Sequence, residues 1–184
     1  MDITYEVYND EQQIIDKINS LEPMFQRMSS ENNTQVVCYE DLYFLSAIDK
    51  SLKLIEVFLF ALEKRNITVL AILTRVQLDC LLRTYASTLV DDSSDFCKNV
   101  LSGKIQINRT KCSTGDKMTD KFLCESIEAT LNLPIYELYE KVCGYVHFSA
   151  SSFHNAIHMD GENSFVMKVS QNNQEEYLEV YNCK

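Results

Sequence analysis

The chain has 184 residues, a formal net charge of −10 at pH 7, and 46% hydrophobic against 24% charged residues. That length suffices for one domain, spanning 1–184, with a core needing no metal or disulfide. The acidic balance excludes the broad basic field that drives non-specific nucleic-acid binding. Four glycines and two prolines are too little punctuation for a many-stranded β fold, so long helices are expected.

In chain order, "DEQQIIDKINSLEPMFQRMS" (10–29) places Ile14, Ile15, Ile18, Leu21 and Phe25 at helical spacing, with Pro23 as a kink or break. After "SENNT", a long helix is predicted from about Glu40 to Lys64. The charged break "EKRN" separates it from an antiparallel partner that opens at Asn66 or Thr68 and runs to about Val90. "DDSS" then caps a short helix over 94–102. Residues 103–117, with Gly103 and Gly115, read as an exposed loop. A helix from about Thr119 to Leu131 stops at "NLP", and Pro134 sits in the first turn of the next, predicted over 135–158. The β-prone runs "SFVMKVS" and "EEYLEVYN", separated by "QNNQ", predict a C-terminal hairpin over about 163–182. The expected fold is all-α: a five- or six-helix bundle, its helical core over about 40–158, with a small β-hairpin appended.

Seven cysteines without a CxxC pair predict reduced thiols, several of them buried, and a cytoplasmic location. "MDITYEVYND" has neither the basic head nor the apolar stretch of a secretory signal. The most apolar region, "LKLIEVFLFALEKRNITVLAIL", is interrupted by Glu63, Lys64 and Arg65, so no membrane span is expected. No phosphate-binding glycine loop, nucleophile elbow or zinc finger occurs, and no cofactor is expected.

All three histidines, His147, His154 and His158, fall in "CGYVHFSASSFHNAIH" (143–158). At about 100° per residue on a helix, Ile135, Leu138, Val142, Val146, Phe153, Ala156 and Ile157 form an apolar stripe. The histidines lie opposite, within about 20° of one line, with Glu140, Ser151 and Cys143 close by. Three readings follow. The row is a solvated polar face. Or His154 and His158, at i and i+4, are a metal-ligand pair, although the glutamate of an HEXXH motif is missing and no second pair is evident, so no metal is assigned. Or His147 lines a groove as a proton-transfer or nucleotide-contacting residue.

The segment 67–90, "ITVLAILTRVQLDCLLRTYASTLV", is apolar nearly all round and belongs in the middle of a bundle. It carries Arg75, Asp79 and Arg83 at i, i+4 and i+8, within about 80° of arc. Charges in such a helix must be paired. One reading is an internal Arg–Asp–Arg ladder, with Arg75 and Asp79 substantially buried and paired with each other or with the histidine helix. The other turns an arginine into a polar groove shared with His147.

"RVQLDCLLR", followed by "YEKVCGYVHFS", resembles HEPN-type helical proteins (the higher-eukaryote and prokaryote nucleotide-binding superfamily), over roughly residues 40–158. The resemblance implies a helical bundle that often dimerises. Many members cleave RNA as toxins or antiviral effectors; others are non-catalytic. Catalytic members carry an arginine, a polar residue and then a histidine a few positions on. Here the histidine would be His147 and the upstream cation Lys141, with Val142 in the polar position. Lysine lacks the bidentate fork of arginine, which leaves Arg75 as the alternative cation. The implied site is therefore His147, Lys141 and Arg75, supported by Asp79, Arg83, Glu140, Ser151 and His154. The implied function is a metal-independent ribonuclease of toxin or antiviral-defence type. Its competitor is a non-catalytic module, with a second copy or a partner protein in place of RNA or nucleotide.

Overall fold

The computed structural model describes residues 11–31, 37–147, 157–159 and 165–167. Among them are six α-helices: α1 (Glu11–Glu31), α2 (Tyr39–Glu63), α3 (Ile67–Ala86), α4 (Ser93–Leu101), α5 (Asp120–Leu131) and α6 (Ile135–Val146). The chain is an all-α helical bundle. Pro23 lies inside α1 without dividing it.

Local chemistry sets the helix ends. Asp41 Oδ2 accepts from the Cys38 backbone N–H at 3.0 Å, closing the start of α2. The α2–α3 corner occupies the predicted "EKRN" break. Arg65 takes a left-handed φ of 50°, and Asn66 Oδ1 accepts from the Val69 N–H at 3.1 Å to begin α3. Asp92 caps α4 through the Asp95 N–H at 2.9 Å, and Thr119 caps α5 through the Phe122 N–H at 3.3 Å. Asn132, at φ 55°, ends α5.

The long pair α2 and α3 is antiparallel. Tyr43 Oη donates to the Arg83 carbonyl at 2.9 Å, and Gln77 Nε2 donates to Ser51 Oγ at 3.0 Å, so rising numbers on one helix meet falling numbers on the other. Helix α3 packs against α2, α5 and α6; α2 also carries α1 and α4, and α5 lies against α6. Leu82, Cys97, Met118, Leu123 and Cys124 are completely buried where α3, α4 and α5 meet.

Three sequence expectations are corrected. The first concerns 103–117, which is mostly exposed as expected but is not a detached loop. It is pinned to the body: Ile107 and Cys112 are buried and Met118, just beyond, is fully buried. The Ser113 N–H donates to the Leu89 carbonyl at 2.8 Å, and Lys111 bridges Lys117 in antiparallel fashion. Polar composition concealed a segment whose few apolar side chains plug the core.

The second concerns the histidine helix, expected over 135–158. Helix α6 ends at Val146, and His147 is extended at φ −99°, ψ 146°. Beyond it lies the short strand β1 (Ile157–Met159), antiparallel to β2 (Phe165–Met167), with His158 opposite Val166. Residues 148–156 of the expected helix lie outside the described residues. "SFVMKVS" does supply β2, but its partner precedes it. The predicted second strand, within 176–182, lies outside the described residues.

The third concerns which side of α6 faces inward. Ile135 and Val142 of the expected stripe are buried, but Leu138 is 40% and Val146 46% exposed. Tyr139 and Cys143 take the inner positions against α3. Cys143 thus moves from the expected outer row to the interface.

Candidate functional site

The polar side chains of the bundle interior converge where α3, α5 and α6 meet. Arg75, Asp79 and Arg83 occupy successive turns of α3, one residue type above the next, because i and i+4 lie on one helix face. Asp120 stands at the first position of α5, where the helix dipole favours a carboxylate. Tyr139 and Cys143, again at i and i+4, project from α6.

The six side chains form one network. Arg83 Nη2 bridges the two carboxylates, 3.1 Å from Asp79 Oδ1 and in direct hydrogen-bond contact with Asp120 Oδ1. Arg75 reaches the same two acids more loosely, at 3.7 Å from Asp79 Oδ1 and 3.8 Å from Asp120 Oδ2. Its closer partners are on α6: Nη2 donates to Tyr139 Oη, and Nε donates to Cys143 Sγ at 3.1 Å. The Arg75 guanidinium also stacks over the Tyr139 ring, 4.1 Å from its centroid. Tyr139 Oη in turn donates to Asp120 Oδ2 at 2.7 Å, closing the circuit. Arg83 Nη1 is buried and makes no hydrogen bond.

The expected Arg–Asp–Arg ladder is therefore present, and its pairing extends to the helix that carries His147. The expected depth of burial is not reached: the side chains of Arg75, Asp79, Arg83 and Asp120 keep 20%, 34%, 25% and 31% of their surface exposed. Ionisation follows the contacts. Burial by itself raises the Asp120 carboxyl, but the Tyr139 hydroxyl and the Arg83 and Arg75 guanidinia outweigh it and hold Asp120 below the ordinary aspartate value. Burial likewise opposes the charge on Arg75; the Cys143 acceptor and neighbouring negative groups more than offset this and raise it. Burial and the Asp120 carboxylate both push the Tyr139 phenol well above its ordinary value. The site is two cations, two anions and a neutral phenol, with no net charge.

The remaining sequence candidates are not gathered here. Lys141 lies on the outer side of α6, paired with Glu137 at 2.7 Å, both side chains mostly exposed. Glu140 is exposed on the same helix, accepting from the Tyr136 hydroxyl. His147 is exposed at the C-terminal cap of α6, its backbone N–H donating to the Cys143 carbonyl at 3.2 Å. Ser151 and His154 lie outside the described residues, and His158 sits on a strand, so the helical i,i+4 ligand geometry proposed for the latter two does not exist. Among the described residues no cluster of three or more His, Cys, Asp or Glu side chains is placed to hold a metal.

Sequence reasoning missed Asp120, Tyr139 and Cys143. The spacing of Tyr139 and Cys143 was visible, but nothing local says that their side of α6 meets α3. Of the described cysteines, Cys80, Cys97, Cys112 and Cys124 are buried and unbridged. Burial raises the Cys124 thiol to about 11, that of a packed rather than a reactive group. Among the described residues no helix is long and apolar enough to cross a membrane. Comparison of the chain with protein-family models, with curated proteins and with solved structures finds no match.

Proposed function

We propose that this chain is a HEPN-like, non-catalytic helical module that acts by binding a second copy of itself or a partner protein. The observation that carries this reading is the neutrality of the α3 network. Stabilising an attacked phosphate takes a cation whose charge is not already compensated. Arg75 and Arg83 are each held by Asp79 and Asp120, and Arg83 Nη1, which makes no hydrogen bond, is buried. Lys141 is engaged by Glu137.

Exposed apolar side chains on α2 support this reading. On the outer side of α2, Val57 is 47% and Phe60 61% exposed. One turn apart, they form a projecting apolar pair of the kind that anchors helical interfaces. Unbridged, buried thiols support a reducing, cytoplasmic setting.

The competing reading, a metal-independent ribonuclease of toxin or antiviral-defence type, rests on His147 within "YEKVCGYVHFS". It is favoured by the exposure of His147 at the end of α6, where substrate has access. RNA supplies its own 2′-hydroxyl nucleophile, so such an enzyme needs only positioning and proton transfer.

Two measurements separate the readings. Light scattering across a concentration series is expected to show a dimer that Phe60→Asp dissociates; a monomer at every concentration that also captures no protein partner removes the module reading. RNA cleavage in excess EDTA is expected to be absent. Cleavage lost on His147→Ala, with folding intact, reverses the order of the two.

A further inference from the structure

On the other side of α3 from the ionic network lies a cavity of about 390 Å³, walled by α1, α2 and α3. Phe25 and Met28 line it from α1, Phe44 and Ile48 from α2, and Leu81 from α3. Among the described residues no charged side chain lines it. Its volume is within the range of about 300–1,000 Å³ typical of small-molecule sites. At its mouth, Met28 and Leu81 remain 46% and 36% exposed, apolar area that an occupant would remove from water.

The floor is polar and internally satisfied but for one atom. Ser51 Oγ donates to the Ala47 carbonyl at 2.9 Å and accepts from Gln77 Nε2 at 3.0 Å. Gln77 Oε1 is buried and makes no hydrogen bond. Inverting the amide exchanges which of its two atoms is unpaired without removing the deficit, since Ser51 has a single proton to give.

We propose that this cavity is a binding site for a compact, neutral, apolar small molecule. Neutrality follows from the uncharged lining: a charged ligand would lose its hydration with no counter-ion to replace it. An anion would also approach a chain of net charge −10. This site is independent of the reading of the α3 network, and neither Val57 nor Phe60 lines it.

The test is a fluorescence titration of the full chain with N-phenyl-1-naphthylamine, a neutral, largely apolar three-ring amine. Saturable binding at one probe per chain is expected. Ala47→Phe, which fills the chamber beside Ser51, should weaken binding at least tenfold while the denaturation midpoint holds or rises. Leu81→Lys, at the mouth, should weaken it independently, which keeps the test decisive should Ala47→Phe fail to fold. Leu101→Ser, on α4 and away from the cavity, should leave it unchanged. Absence of saturable binding overturns the proposal, as does binding that ignores both Ala47→Phe and Leu81→Lys.

Discussion

The two sides of α3 contrast sharply although they belong to the same twenty residues. The side toward α5 and α6 is fastened by directional contacts from Arg75, Asp79 and Arg83 to Asp120, Tyr139 and Cys143. The side toward α1 and α2 carries Gln77, Cys80, Leu81 and Thr84, and there the packing leaves a cavity. Charged side chains of fixed reach impose one separation and one register on the helices that share them. Apolar contacts are non-directional and tolerate a gap if the entropy of ordering the surrounding chain is met elsewhere. The fastened side therefore defines how the helices sit, and the loose side has room for a ligand.

Breaking the fastened side should cost most at its hub. Asp120→Ala leaves Arg83 and Arg75 with Asp79 as their sole carboxylate in the network and removes the acceptor of Tyr139. The expected loss is about 2–4 kcal/mol, at the lower end for a buried pair because part of each side chain meets water. Chemical denaturation measures it; a loss below about 1 kcal/mol would mean that the network is no firmer than a surface ion pair. The same carboxyl has a pH signature. Its folded pKa is depressed, so its contribution is present above the ordinary value of 3.8 and declines as pH falls from there through the folded value. The wild-type advantage over Asp120→Ala should therefore shrink below pH 3.8.

Asp79→Ala should cost less, about 1–2 kcal/mol, since Arg83 keeps Asp120 and the aspartate is the more exposed of the two. A loss as large as that of Asp120→Ala would show that the α3 ladder, not the α5 connection, is the stronger element.

Tyr139→Phe keeps the ring under Arg75 and deletes two hydrogen bonds, with an expected cost of about 1 kcal/mol. The phenol pKa is raised in the folded chain, so its stabilisation is full below pH 10.0 and declines as pH rises from there through the folded value. Wild type should lose stability above pH 10.0 by more than Tyr139→Phe does. Equal alkaline slopes would assign the effect to Tyr43, whose phenol burial pushes up to about 12.

The smallest effect belongs to Lys141→Ala. Its pair with Glu137 is solvated on the outside of α6, so the denaturation midpoint should not move measurably. A clear shift would place Lys141 in an assembly contact.

Much of the framework was legible in the sequence because it is set within a few residues. Helical periodicity, the "EKRN" break and the caps at Asn66, Asp92 and Thr119 located α2 to α5 to within a few positions. The i, i+4, i+8 spacing of Arg75, Asp79 and Arg83 implied their ladder, since one helix is enough to bring them together. What failed were judgements that depend on distant segments. Periodicity carried α6 past Val146 into residues that include a strand. Polar composition made 103–117 a surface loop, although Met118 beside it fills the core. The inward turn of Tyr139 and Cys143, the joining of Asp120 to two arginines of α3, and the cavity behind Gln77 were decided only by the packing of α3 against its neighbours. The physical reason is one of range: caps and periodicity act over about four residues along the chain, whereas pairing, burial and voids depend on which surfaces meet once the chain has closed on itself.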